Sequence, residues 1–210
     1  SIYIRMIFSC LVDADFLDTE TFFDGQARQT RPADFQQLLQ KLKHYTAQWQ
    51  TPANPLNKRR QEILMNCYAK GRTMERGLFT LTVPTGGGKT VASMAFALEH
   101  AVKHKFSRII YVIPYTSIID QTADTFRKIL GGENILEHHS NKLYDPEESD
   151  ESLLMAKATE NWNMPVVITT AVQFFESLYA CKTGRCRKLL NITNLSLIHI
   201  SEPTRPISIS

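Results

Sequence analysis

Thirteen residues constrain this chain more than any others: Leu78 to Thr90 read LFTLTVPTGGGKT. A run of β-forming residues meets three consecutive glycines, and a lysine and a threonine then open a stretch of good helix formers from Val91 to His104. Strand, tight turn and helix in that order aim the free N–H groups of a helix start at one point, which suits an anion. Gly86, Gly87 and Gly88 let the backbone curl close because no Cβ intervenes. Lys89 then offers a point charge to the β and γ phosphates of a nucleotide, and the Thr90 hydroxyl is placed to ligate magnesium. Pro84, Thr85, Gly86, Gly87, Gly88, Lys89 and Thr90 are therefore the expected site for ATP and Mg, with Lys89 and Thr90 in the catalytic role. Val83 departs from the usual pattern, which has Gly or Ala six residues before the lysine. A glycine-rich turn that holds no ligand is the plain structural alternative.

The remainder of the chain supplies the context such a loop needs. After Asn57 the residue pattern predicts helices at 59–69, 91–104, 117–130, 151–160 and 171–180. Between them it predicts strands at 78–83, 108–113, near Ile135 and at 166–169. Strands alternating with helices of this length argue for an α/β fold with a parallel sheet and crossover helices on both faces. Upstream, Ile4, Ile7, Phe8, Leu11 and Val12 form one helical stripe within residues 1–23. Gly25, Pro32, Pro52 and Pro55 then punctuate a linker holding one amphipathic helix, 35–49.

Composition bounds the rest. With 43% hydrophobic and 21% charged residues, the 210-residue chain reads as soluble and globular, neither disordered nor collagen-like. A net charge of +3 is too small to argue for nucleic acid by itself. The four cysteines, Cys10, Cys67, Cys181 and Cys186, lack the paired spacing of a zinc knuckle and fit a reducing cytosol, so a cytoplasmic protein is expected. No run approaches the roughly 18–20 apolar residues of a membrane span, so no membrane partner is expected.

Two further strand ends carry polar residues. Pro114, Thr116, Ser117 and Gln121 follow the strand at 108–113, and Thr169 with Thr170 ends the strand at 166–169. In a parallel sheet these positions share a rim with the glycine loop, where small hydroxyls suit a nucleic-acid backbone. Each is also a good helix N-cap. Asp145, Glu147, Glu148, Asp150 and Glu151 read as a solvated loop and helix start. Lys182, Arg185, Arg187 and Lys188 read as either ordinary surface or phosphate contacts. His100 and His104 lie one turn apart on a helix and are expected to face solvent.

Taken in order, VPTGGGKT, IPYTSIIDQ, EHHSN and ITTAVQFFESL closely resemble the CRISPR-associated helicase-nucleases of type I systems, nearest the subtype I-C branch. These are superfamily 2 translocases fused to an HD nuclease. The resemblance implies a RecA-like P-loop lobe preceded by a helical remnant of the HD domain. Gly86, Gly88, Lys89 and Thr90 match motif I. Pro114 to Gln121 match motif Ia and Thr169 with Thr170 match motif Ib, both of which line the single-stranded DNA track. Gln61 stands where an adenine-reading glutamine is expected. Asp15, or else Asp13, matches the last HD ligand to a catalytic divalent transition metal. The implied partners are single-stranded DNA and a Cascade-like CRISPR effector complex, in antiviral defence. The role of His138 and His139 stays open.

The resemblance divides the chain into an HD remnant (1–24), a linker (25–57), an incomplete first RecA-like lobe (58–193) and a tail (194–210) similar to translated sequencing-adapter sequence, hence expected to be non-native. The His ligands of an HD site, the acidic box and the second lobe are absent. Asp150-Glu151, the lone Asp-Glu pair, follows no apolar strand. The expectation is thus a piece of a longer ATP-dependent DNA helicase/nuclease that binds nucleotide without turning it over. The alternative is a non-catalytic DNA-binding or partner-docking module with a vestigial P-loop.

Overall fold

Hydrophobic residues alternate across the central strands so that each face of one sheet receives its own layer of helices. The computed structural model describes residues 2–25, 33–49, 54–84, 86–114, 116–179 and 183–199. Helices α1 (Ile2–Asp24), α2 (Phe35–Ala47), α3 (Pro55–Thr73) and α4 (Lys89–His104) come first. They are followed by β1 (Arg108–Ile113), α5 (Thr116–Leu130), β2 (Ile135–His138), α6 (Asp150–Asn161), β3 (Val166–Thr170), α7 (Ala171–Tyr179), two single-turn helices α8 (Thr183–Cys186) and α9 (Lys188–Asn191), and β4 (Leu195–His199). The strands run in the order β2-β3-β1-β4, all parallel. This is the α/β architecture of a RecA-like lobe.

Ile109, Tyr111 and Ile113 of β1, with Ile135, Val166 and Ile168 beside them, point into a layer built by α2, α3, α4 and α5. The intervening Ile110, Val112, Leu136 and Val167 point the other way, onto Met155, Ala158, Trp162 and Phe174. Period-two alternation within almost wholly apolar strands is what burial on both faces demands. Each fully buried side chain of this kind contributes about 1.5–3 kcal/mol.

Helix starts follow local chemistry. Asp34 and Asn54 cap α2 and α3 by accepting from the amides of Gln37 and Asn57, each at 2.9 Å, and Pro55 occupies the first turn of α3. Ser149 caps α6, so Asp150 and Glu151 do open a helix as expected. Helices α3 and α4 pack so closely that a Cβ on Gly71 would stand 2.6 Å from the Phe96 carbonyl oxygen. Glu99 of α4, buried there, pairs with Lys43 of α2 at 2.9 Å and Arg72 of α3 at 3.1 Å.

Three expectations need correction. Leu78 to Val83 is not a strand in the described sheet: no described strand flanks it, and Leu78 is 97% exposed while Phe79 packs on Phe96. Without a ladder partner, β propensity alone does not make a strand. Within the segment expected to be a non-native tail, Leu195 to His199 pair with β1 as β4, and 200–210 lies outside the described residues. His100 does not face solvent but is buried among Phe79, Phe96 and Phe106. Arg187 and Lys188 are neither surface nor phosphate contacts, being buried against α1 and Trp162. Arg185 is exposed and pairs with Glu176, and Lys182 lies outside the described residues.

Candidate nucleotide and nucleic-acid site

Because all four strands are parallel, their carboxyl ends share one rim. Helix α4 runs into β1 and so starts at that rim, and α5 and α7 leave it directly from β1 and β3. The pairing of Ile113 with Thr170 sets Pro114 beside the start of α7. This edge is where open α/β sheets bind ligands.

The glycine loop sits at the start of α4. Gly86 and Gly88 adopt left-handed backbone with φ of 79° and 78°, which side-chain-bearing residues rarely tolerate. The Gly87 amide donates to the Pro84 carbonyl at 3.0 Å, closing the turn. Gly87 is tightly enclosed: a Cβ there would collide with Val83 Cγ1 and lie 3.0 Å from the Pro84 oxygen. Gly88 caps α4 with no side-chain bond, leaving the first-turn amides for a ligand. Lys89 and Thr90 are half-buried, and Lys89 has no hydrogen-bond or ion-pair partner among the described residues. One turn on, the Ser93 hydroxyl meets Tyr111 OH at 2.8 Å and donates to the Thr90 carbonyl, seating the helix start on the sheet. Free amides, a free ammonium and a neighbouring hydroxyl fit a nucleotide's phosphates and their magnesium ion. Thr85 lies outside the described residues.

Gln61 lies on the α2-facing side of α3. It lines a cleft of about 250 Å³ between α2 and α3 with Lys43, Trp49, Leu64 and Tyr68. Its neighbour Arg60 reaches the loop instead, donating from Nε to the Gly86 carbonyl at 2.7 Å. Sequence reasoning missed Arg60, for nothing in the NKRRQ stretch marks which arginine turns toward a loop some 26 residues away.

At the rim, Pro114 and Thr116 are half-buried and Gln121 is exposed at the start of α5; nothing is described of the Ser117 side chain. Thr170 caps α7, accepting from the Gln173 amide at 3.1 Å. Thr169 differs from expectation. It is fully buried and its hydroxyl donates to the His138 carbonyl at 2.8 Å, so it ties β3 to β2 and faces no ligand.

The two histidines of EHHSN diverge. His138 Nδ1 accepts from Trp162 Nε1–H at 2.9 Å, and burial, with the nearby Lys188 and His139 charges, lowers its pKa to about 3. His139 lies between Glu137 and Asp120, and these three form the one cluster of metal-ligand type among the described residues. Burial pushes the Glu137 carboxyl up, yet bonds from Arg127 and His139 outweigh it and hold it below its usual range. Asp120 is held above the usual range by its hydrogen bond to Glu137. The Asn141 amide donates to His139 Nδ1, so Nδ1 accepts and it is Nε2 that carries a hydrogen toward the carboxylates. That proton stands where an ion would, and Arg127 already balances Glu137, so the cluster acts as an ion-pair network linking β2 to α5.

On α1, Asp15 is exposed, whereas Asp13 is buried and paired with Arg187 at 2.8 Å. Neither belongs to a metal-ligand cluster among the described residues. A single outward carboxylate does not fit a divalent metal centre, which needs several ligands.

Comparison with known proteins places this geometry. A family model described as "Type III restriction enzyme, res subunit" matches residues 35–194, from α2 to the edge of β4. The chain belongs to that family. It is also similar to the CRISPR-associated nuclease/helicase Cas3 of Haloferax volcanii, 30% identical over 145 residues. The match covers 59% of this chain and 15% of that relative. The chain therefore spans a small part of the curated relative's length. Membership of the res-subunit family gives the α/β lobe a helicase-like role. Among the described residues no helix is long and apolar enough to cross a membrane.

Proposed function

We propose that this chain is the nucleotide-binding part of the first RecA-like lobe of a CRISPR-associated DNA helicase-nuclease acting in antiviral defence. Gly86 to Thr90, with Pro84 and Thr85, would hold ATP: the loop amides and Lys89 bind the phosphates, and the Thr90 hydroxyl ligates Mg. Bound magnesium would supply charge neutralisation on the phosphates. The observation that carries this reading is the pair of left-handed glycines leading into a 16-residue helix whose Lys89 has no partner among the described residues.

Single-stranded DNA would run along the rim past Pro114, Thr116, Ser117, Gln121 and Thr170, with Thr169 bracing the strands beneath. Turnover also needs an acidic pair on a strand beside the loop. Asp150 and Glu151 are exposed at the start of α6 instead, so the chain alone should bind ATP without hydrolysing it. The HD remnant at 1–24, the linker at 25–57 and recruitment by a Cascade-like complex belong to the same proposal.

Calorimetric titration with Mg-ATP tests the reading. Wild type should bind and Lys89→Ala should lose most of the affinity; equal affinities would refute it. DNA affinity that ignores nucleotide and survives Lys89→Ala would instead favour a non-catalytic module.

A further inference from the structure

We propose that Arg60 is a positioning residue of the phosphate cradle, holding the loop from α3 so that its free amides already face an incoming anion. This deepens the nucleotide reading and rests on it for its purpose, although the contact itself belongs to the nucleotide-free protein.

A trans peptide directs its C=O and N–H to opposite sides. In the Gly86–Gly87 peptide the carbonyl accepts from Arg60 Nε at 2.7 Å, and the amide donates to the Pro84 carbonyl at 3.0 Å. The plane is thus fixed from both sides, once from within the loop and once from α3. A second bond, Arg60 Nη1 to Asn57 Oδ1 at 3.3 Å, anchors the guanidinium one turn back on its own helix. The side chain also spans the loop: a Cβ built on Gly88 would lie 3.7 Å from Arg60 Cγ, and one on Gly86 would lie 4.0 Å from Nη2.

Three consecutive glycines have more conformations to lose than any other tripeptide, so an outside tie matters most here. Arg60 supplies that tie from a rigid base, because α3 is locked to α4 through the close approach at Gly71. A lysine would not substitute. Its single ammonium lacks the planar fork that reaches Gly86 and Asn57 together.

Hydrogen exchange of the Gly87 amide, measured without nucleotide in wild type, Arg60→Gln and Arg60→Lys, tests the tie directly. Both variants should exchange there about tenfold faster, the scale of a lost hydrogen bond to a charged donor. Central α4 amides and the melting temperature should not change. In parallel, the Kd of a fluorescent Mg-ADP analogue should rise by a similar factor. Unchanged loop exchange in Arg60→Gln overturns the proposal, and a looser loop with unchanged Kd overturns its functional half. Should wild type bind no nucleotide at all, the ATP reading fails, and the exchange data still decide whether Arg60 holds the loop.

Discussion

Arg187 Nε donates to the Asp13 carboxylate at 2.8 Å, bolting the middle of α1 to the turn between α8 and α9. Both side chains are buried, Glu160 accepts from Arg187 Nη1 at 2.6 Å, and the guanidinium lies over the Phe16 ring at 4.6 Å. Beside them the Ser9 hydroxyl donates to the Cys186 carbonyl and accepts from the Leu190 amide. The residues assigned from sequence to a separate nuclease remnant are therefore tied to the lobe.

Breaking a buried pair leaves one charge uncompensated, whereas replacing both partners with apolar residues removes the desolvation cost as well. Arg187 keeps Glu160, so Asp13→Asn should lower unfolding stability by about 2 kcal/mol, the scale of a lost charge-assisted hydrogen bond. Asp13→Leu combined with Arg187→Met should recover most of that loss, helped by Arg187 Nη2, which is buried with no partner among the described residues. Urea unfolding of the single and double variants measures the difference.

Val83 and Gly87 make a second pair with a clear expectation. A methyl group at Gly87 would collide with Val83 Cγ1, so Gly87→Ala should displace the loop and weaken Mg-ATP binding at least about tenfold, in line with a disrupted preorganised site. Adding Val83→Gly opens the space and should restore much of the affinity. Fluorescent nucleotide titration of the three proteins reads this out.

His138 predicts how stability depends on pH. Its folded pKa of about 3 lies below the unfolded value, so the unfolded chain binds the extra proton between pH 6.5 and 3. The contribution is fully present above pH 6.5 and is lost as the pH falls through that window, on the order of 1.4 kcal/mol per pH unit. His138→Gln should flatten this part of a melting-temperature profile. An unchanged slope would mean that His138 is not buried as a neutral acceptor.

Thr169 separates bracing from DNA contact. Thr169→Val removes a hydroxyl bonded to the His138 carbonyl and should cost about 1 kcal/mol of stability, leaving affinity for single-stranded DNA unchanged. Thr116→Ala and Gln121→Ala should weaken DNA binding with little effect on melting. Fluorescence anisotropy with a labelled oligonucleotide, run beside thermal melts, distinguishes the two effects.

Much of the fold was legible because its signals are local. The helices around Ala95, Phe126 and Met155 and the strands at Ile109 and Val167 announce themselves through periodicity, and Asp34, Asn54 and Ser149 mark helix starts by capping. The glycine loop was legible for the same reason, since its chemistry is contiguous. Long-range facts were not. Whether Leu78 to Val83 becomes a strand depends on a neighbour, which propensity does not report. Thr169 and Thr170 look alike in sequence and both are buried, but a strand sends adjacent side chains to opposite faces, so one bonds the neighbouring strand and the other caps a helix. Arg60 and Arg187 became visible only once α3 met the loop and α1 met α9.

The ribbon from Leu78 to Val83 also has a practical consequence. Among the described residues its backbone pairs with no strand, Leu78 and Leu81 are open to water, and β4 presents a bare outer margin with Leu197 exposed. Two copies at high concentration would find in each other the zipper that neither completes alone. A lysine in place of Leu78 or Leu197 would act as a gatekeeper against such clumping, so purification yield should improve before any change in chemistry is seen.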